Sequence, residues 1–431
     1  MQYGLNYSDQ NFFERLSDYC SEGEPSSDVV DTVSRILTDV RRRGDRAVLA
    51  HTYTFDKVRL RADRLRVSSD VLAAAAVGLL PRERRAIREA IRCVRDFHKK
   101  TLPRSWKGRN PHGAIVGERF YPLERVGLYI PGGEAPLLST VVMTAVLAKL
   151  AGVPQVAVCT PPQSGGELHP GMLAVLHLCG VEEVYRIGGI QAIGALAYGT
   201  QTVPAVAKIF GPGNRFVIEA KRQVFGRVGI DLLPGPSEVM ILADTSANPS
   251  FIAADLLAQA EHGTGKEKVY LVATSAQLMK AVDKAIENQL PRLTREKEIK
   301  KVLEQGFLRI CVRSLNQAAE VANFVAPEHL ELHVVDKALK TLTDKISTAG
   351  SILIGKTTPT VLGDFVAGPS HTLPTGRSGH FFSGLQVRDF LRRTSLVAYQ
   401  PKNLTKAQPT VEVFSRLEEL DAHGRSLQIR L

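Results

Sequence analysis

Gln259 and His262, in the run Gln-Ala-Glu-His, are of types and spacing that could do chemistry. On a helix, residues at i and i+3 project from one face. An amide oxygen beside an imidazole can bind a borderline cation. A histidine near a helix end more often only complements the helix dipole. A second pair, Glu328-His329 in Ala326-Pro-Glu-His-Leu330, offers a carboxylate and an imidazole, the types that move protons near neutral pH. Adjacent residues do not face one another in regular structure, so the pair reads as two separate roles or as a plain surface loop. Asp364, in Gly363-Asp364-Phe365, and His371, in Gly368-Pro-Ser-His371, fall in a third polar stretch, and Glu418 and His423 stand in the tail. Gln259, His262, Asp364 and His423 would make a nitrogen-and-oxygen set suited to zinc or manganese. Spacing alone does not assemble residues so far apart.

Three glycine- and proline-rich loops follow strand-like runs: Tyr129-Ile-Pro-Gly-Gly133, Gly188-Gly-Ile-Gln191 and Gly211-Pro-Gly-Asn214. Each precedes a helical pattern, so backbone N–H groups could face a pyrophosphate, and in open α/β sheets the carboxyl ends of strands are the ligand side. Tight connection without a ligand is the alternative for any one loop; three together favour a nucleotide. Gly189 to Gly194 has the glycine spacing of a Walker A loop, but Ala195-Leu196 stands where Lys-Ser/Thr is needed. G-x-G-x-x-G after a strand, H-E-x-x-H and G-x-S-x-G are all missing.

The elements that must position these residues alternate. Strands are expected at Val126–Ile130, Val156–Cys159, Val184–Ile187, Val239–Ala243, Val269–Ala273, Leu330–Val335 and Ile352–Ile354. Helices are expected at Leu138–Ala151, Gln191–Tyr198, Ser250–His262 and Ala276–Asn288. Asn248-Pro249 reads as an N-cap and first-turn proline, with Gly263 past the helix end. The alternation predicts an α/β fold of two Rossmann-like parallel sheets, with small N-terminal and C-terminal helical modules. Apolar residues recur at helical spacing from Asp28 to about Lys100.

The 431 residues carry 55 Lys+Arg against 44 Asp+Glu, a net charge of +11. The arginines alternate with acids, and one Trp gives no aromatic interleaving for base stacking, so nucleic-acid binding is not expected. No apolar run reaches membrane-spanning length and the N-terminus lacks a secretory pattern. Five scattered cysteines, odd in number and never in a CxxC pair, exclude a disulfide framework and fit the cytoplasm. Cys159 reads as a small buried hydrophobe.

The blocks Tyr129-Ile-Pro-Gly-Gly, Gly211-Pro-Gly-Asn-Arg-Phe-Val, Gly235-Pro-Ser-Glu-Val, Gln259-Ala-Glu-His, Ala326-Pro-Glu-His-Leu-Glu-Leu and His371-Thr-Leu-Pro-Thr stand in one order along the chain. In types and order they resemble the histidinol dehydrogenase family, from about residue 25 to the C-terminus. The resemblance implies two NAD-dependent oxidations of L-histidinol through L-histidinal to L-histidine, the last steps of histidine biosynthesis. It implies one zinc per subunit held by Gln259, His262, Asp364 and His423, and a catalytic pair Glu328 and His329. Substrate contacts would come from Ser237, Gln259, His262, His329, Asp364, His371, Glu418 and His423, and NAD contacts from Tyr129, Gln191 and Asn214. It further implies a homodimer in which the tail reaches the neighbouring site. The expected divisions are an arm (1–24), an α/β domain with the metal and catalytic residues (25–125 with 239–391), an NAD-binding α/β domain (126–238) and a helical tail (392–431). Gly263-Thr264, Leu147, Phe365 and Arg377 depart from the family's usual residues. A dehydrogenase of another alcohol on this scaffold, or a nucleotide-binding protein without catalysis, are the alternatives.

Overall fold

The computed structural model describes residues 4–21, 26–132 and 136–431. Part of the first glycine loop, including Gly133, and the expected arm boundary at 22–25 lie outside them.

The chain begins with strand β1 (Gly4–Asn6) and helix α1 (Phe12–Cys20), followed by α2 (Ser27–Arg43), α3 (Asp45–Asp56), α4 (Ser69–Val77) and α5 (Pro81–Lys99). A hairpin of β2 (Trp106–Arg109) and β3 (Ile115–Pro122) precedes the first run of alternating elements. That run is β4 (Arg125–Tyr129), α6 (Leu138–Leu150), β5 (Gln155–Thr160), α7 (Pro170–Leu178), β6 (Glu183–Arg186), α8 (Gly189–Tyr198), β7 (Lys208–Phe210), α9 (Arg215–Val224) and β8 (Gly229–Ile230). Its strands form a parallel five-stranded sheet in the order β6-β5-β4-β7-β8. The order reverses between β4 and β7, which is where an open doubly wound sheet leaves a crevice.

The second run is β9 (Glu238–Ala243), α10 (Pro249–Ala260), β10 (Lys268–Ala273), α11 (Ala276–Gln289), α12 (Glu296–Gly306), β11 (Phe307–Cys311), α13 (Leu315–Val325), β12 (His329–His333), α14 (Asp336–Thr343), β13 (Ser351–Ile354) and α15 (Thr360–Phe365). Its strands form a parallel sheet in the order β1-β11-β10-β9-β12-β13. Strand β9 shows why a parallel sheet forms: Val239 to Ala243 is one apolar run, buried on both faces. Burying each such Val, Ile or Leu side chain contributes about 1.5–3 kcal/mol. The expected cap is present, with Asn248 Oδ1 accepting from the Ser250 N–H at 2.9 Å and Pro249 opening α10.

The packing of the flanking segments differs from the expected partition. Residues 4–20, expected as a separate arm, add β1 to the edge of the six-stranded sheet, and Phe12, Leu16 and Cys20 of α1 enter its core. Helices α2 to α5, expected with the 239–391 segment, instead cover both faces of the five-stranded sheet. Val33, Ile36 and Leu37 pack with α8, and Leu72, Ile91 and Val94 join the core of α6 and α7. A helix with one apolar stripe fits either sheet, so periodicity along the chain does not say which. The tail opens with β14 (Leu391–Ala398), a strand not expected, antiparallel to β3. Helices α16 (Pro401–Leu417) and α17 (Asp421–Gln428) follow it. Among the described residues, no helix is long and apolar enough to cross a membrane.

Candidate active site

The two ends of the sheets supply different parts. At the carboxyl edge of the five-stranded sheet, Tyr129 ends β4, and its hydroxyl accepts from the Gly189 N–H at 3.1 Å, at the mouth of α8. Gln191, fully buried in the first turn of α8, has neither amide atom hydrogen-bonded. A buried amide left bare is costly unless a ligand completes it. After β7, Gly211 adopts φ +113°, where a Cβ would meet the Tyr129 carbonyl oxygen at 2.1 Å, so only glycine permits the turn. Asp231 accepts from the Gly211 N–H at 2.7 Å, and the fully buried Lys221 ammonium donates to the Gly211 carbonyl at 2.9 Å and pairs with Asp231. Asn214 caps α9, its Oδ1 accepting from Phe216 and Val217 N–H. Tyr129, Gln191 and Asn214 thus stand at the carboxyl ends of β4, β6 and β7, on the side of the sheet where open α/β folds take ligands.

The second part gathers at the amino edge of the six-stranded sheet. His329 is the first residue of β12 and Glu328 precedes it; both are buried. The Glu328 carboxylate accepts from the Glu238 N–H at 2.9 Å and from the Ser237 side chain, which places Ser237 at the start of β9 beside the pair. His329 Nε2 lies 3.9 Å from Glu328 Oε1 and 3.9 Å from Asp364 Oδ1. Asp364, on α15, lies 3.7 Å from His371 Nδ1. His371 Nε2 in turn lies 3.4 Å from the hydroxyl of Thr140, on α6 beside the first sheet's crevice. Gln259 closes α10, buried, with its amide nitrogen unpartnered. His262 follows one turn on and lies near enough to lower both His329 and His371.

Burial dominates the electrostatics of this cluster. It pushes His329 down to about 3, with His371 and His262 adding to the effect. It pushes His371 down to about 4, with His262 again adding. His262 is exposed as a residue, yet the protein around its ring still lowers it. Burial raises Glu328 well above the usual carboxylate range, and raises Asp364 to about 7 with a further push from Glu331. The imidazoles are therefore neutral acceptors near pH 7. Glu328 becomes a stronger base once ionised, with a smaller ionised fraction.

His423 and Glu418 are not brought to this cluster. Both are exposed on the tail, and among the described residues no side-chain hydrogen bond or ion pair ties either to it. Cys159 lies fully buried in β5, its thiol pushed up by burial, which leaves it unreactive. Of the departing residues, Leu147 is core, Phe365 is exposed, Gly263 takes φ +74°, and Arg377 lies over the Phe324 ring at 4.3 Å. Thr140, Asp255, Glu331 and His333 escaped the sequence reading. The signal for the last two was the alternation His-Leu-Glu-Leu-His at 329–333, which sets a wholly polar face behind an apolar one.

The carboxyl edge of one parallel sheet, linked through Thr140 and His371 to a buried cluster of imidazoles and carboxyls at the amino edge of another, defines an α/β enzyme with that cluster between its sheets. The family model for histidinol dehydrogenase matches residues 21–431. The histidinol dehydrogenase of Rhizobium meliloti (strain 1021) is 43% identical over 428 residues, covering 99% of this chain and 98% of that protein. That of Agrobacterium fabrum is 44% identical, covering 95% and 94%. The crystal structure of the histidinol dehydrogenase from Elizabethkingia anophelis superposes with a TM-score of 0.94 at 34% identity, covering 99% of this chain and 97% of that one. The chain belongs to the histidinol dehydrogenase family, a family of NAD-dependent oxidoreductases.

Proposed function

We propose that the chain oxidises L-histidinol to L-histidine by two successive hydride transfers to NAD, closing histidine biosynthesis in the cytoplasm. The observation that carries this reading is the Glu328–His329–Asp364–His371 cluster with Thr140 linking it to the dinucleotide crevice. In balance, the alcohol, two NAD+ and one water give the carboxylate, two NADH and three protons. In the first oxidation, neutral His329 accepts the alcohol proton as the carbinol hydride leaves. In the second, ionised Glu328 accepts a proton from the water that adds to the aldehyde, and the hydrate gives up its hydride. Tyr129, Gln191 and Asn214 hold NAD so that both hydrides leave toward the same face of the crevice. No thiol is needed, in keeping with the inert Cys159.

Gln259, His262 and Asp364, with His423 supplied by a partner subunit's tail, would hold one zinc ion. The fit rests on the donor chemistry, two imidazoles with an amide and a carboxylate oxygen. When bound, zinc supplies a fixed positive charge that orients the substrate's nitrogen and oxygen atoms. Ser237, His371 and Glu418 complete the substrate contacts. The exposed apolar side chains of the tail, Val413, Phe414, Leu417, Leu420 and Ile429, support a homodimer that covers them.

Purified protein supplied with zinc, NAD and L-histidinol is expected to form two NADH per alcohol consumed. One NADH, or none, sinks the four-electron reading.

A further inference from the structure

Behind the cluster, on the polar face of β12, lies a second group that the proposed chemistry does not use. Glu331 is fully buried two residues after His329 and so shares its face of the sheet. Its Oε1 accepts from both the Thr360 N–H and the Thr360 hydroxyl, each at 2.7 Å. Thr360 is the first residue of α15, whose Pro359 cap has no side-chain oxygen to satisfy that turn, so Glu331 supplies the missing acceptor. The other oxygen, Oε2, lies 3.0 Å from His333 Nε2, and His333 Nε2 lies 3.5 Å from Asp255 Oδ2 on α10. Asp255 is one helical turn before Gln259.

We propose that Glu331 is a positioning residue: it ties β12, α15 and α10 together, and so fixes Asp364 and Gln259 relative to Glu328 and His329. Three elements that bear site residues converge on this one carboxylate. The physical need is plain. Asp364 sits four residues after Thr360 on a helix of six residues, too short to hold its own direction without an anchor at its start. An anchor by two hydrogen bonds to a buried carboxylate sets the axis of that helix, and hence where the Asp364 carboxylate points. The groups Asp255, Glu331 and His333 lie close enough together to hold a cation themselves. The Glu331 oxygens are instead spent on Thr360 and His333, with His333 Nε2 at hydrogen-bond distance from Glu331 rather than open to a ligand, while His333 Nδ1 is buried without a partner among the described residues.

The inference rests on the zinc reading above, and its test separates the two. Zinc affinity is measured by chelator competition on the whole dimeric enzyme, alongside NAD affinity and the metal content per chain. Glu331→Ala is expected to weaken zinc about 10–100-fold, the usual effect of losing a group that orients a metal ligand. NAD affinity is expected to stay unchanged, because the dinucleotide crevice lies on the other sheet. Glu331→Gln keeps an acceptor for Thr360 and is expected to restore affinity to within about threefold of wild type. Thr360→Val removes one of the two hydrogen bonds while sparing the core, and keeps the proposal open to test should Glu331→Ala misfold. It is expected to give a smaller loss in the same direction. A folded Glu331→Ala, or failing that Thr360→Val, that binds zinc as tightly as wild type overturns the proposal. So does a wild-type enzyme with two metal equivalents per chain, one of them lost in His333→Leu, because the group would then be a metal site. A wild type whose zinc affinity is indifferent to Asp364→Ala refutes the zinc reading instead.

Discussion

His329 and Glu328 are neighbours in sequence with different surroundings, and the difference predicts a division of labour. His329 opens β12 and stands 3.9 Å from Asp364, whereas Glu328 is held by Ser237 and the Glu238 N–H. His329→Asn is expected to slow oxidation of histidinol by about 10²–10⁴-fold, the usual weight of a general base. Glu328→Gln should slow conversion of histidinal to histidine more than the first step, since an amide takes no proton from water. Single-turnover kinetics started from each substrate distinguish the two, and equal damage to both half-reactions in Glu328→Gln refutes the division. Cys159→Ser is expected to keep kcat within about threefold of wild type while lowering Tm, because a hydroxyl in that dry site costs about 1–3 kcal/mol. A folded but inactive Cys159→Ser would restore a thiol mechanism. The placing of the pair side by side at the start of β12 followed from its type and position in the sequence, and the roles proposed for it come from the family resemblance. The alternation at 329–333 marks Glu331 and His333 as one polar face, but their partners Thr360 and Asp255 lie on other elements, and no local pattern joins those to them.

Helix α5 shows what an element conceals. Its buried stripe runs Ile91, Val94, His98, so a histidine occupies the next position of an apolar face. Neither ring nitrogen has a hydrogen-bond partner among the described residues, and burial lowers His98 to about 4. The folded pKa lies below the unfolded value near 6.5, so between those values the unfolded chain binds a proton that the folded chain refuses. Stability from this group is therefore full above pH 6.5 and falls as pH drops, by roughly 1–2 kcal/mol at pH 5. His98→Leu should flatten the acid side of a urea-denaturation series, and an unchanged slope would remove His98 as the cause. Strands such as Val239–Ala243 were legible because their apolar runs are bounded by turns. The hairpin β2–β3 and the strand β14 were not. They are half exposed, with Arg392-Arg393-Thr394-Ser395 giving no apolar alternation. Short β7 and β8 carry too few residues for any period to show.

For the whole molecule, the tail decides whether one chain is enough. His423 and Glu418 face outward, as do Phe414 and Leu417 beside them. His423→Asn and His329→Asn are each expected to be inactive alone. Co-expressed with different tags and purified in tandem, mixed dimers should regain one of their two sites. Random mixing without tandem purification should return about a quarter of wild-type sites. A mixture that stays dead places each site within one chain. The assignment of helices α2 to α5 to the five-stranded sheet was hidden for a related reason: amphipathic helices declare a face but not a partner. Strand β1 carries a consequence for synthesis. It emerges from the ribosome well before β11, its one strand neighbour among the described residues, which lies about 300 residues later. At about 5–20 residues per second, Gly4–Asn6 and the α1 face wait roughly 15–60 s for that neighbour. The five-stranded sheet, complete by residue 230, can close within that interval. During translation this segment is thus an unpaired strand beside an uncovered apolar helix face, which a chaperone, or another nascent chain on the same message, has time to meet.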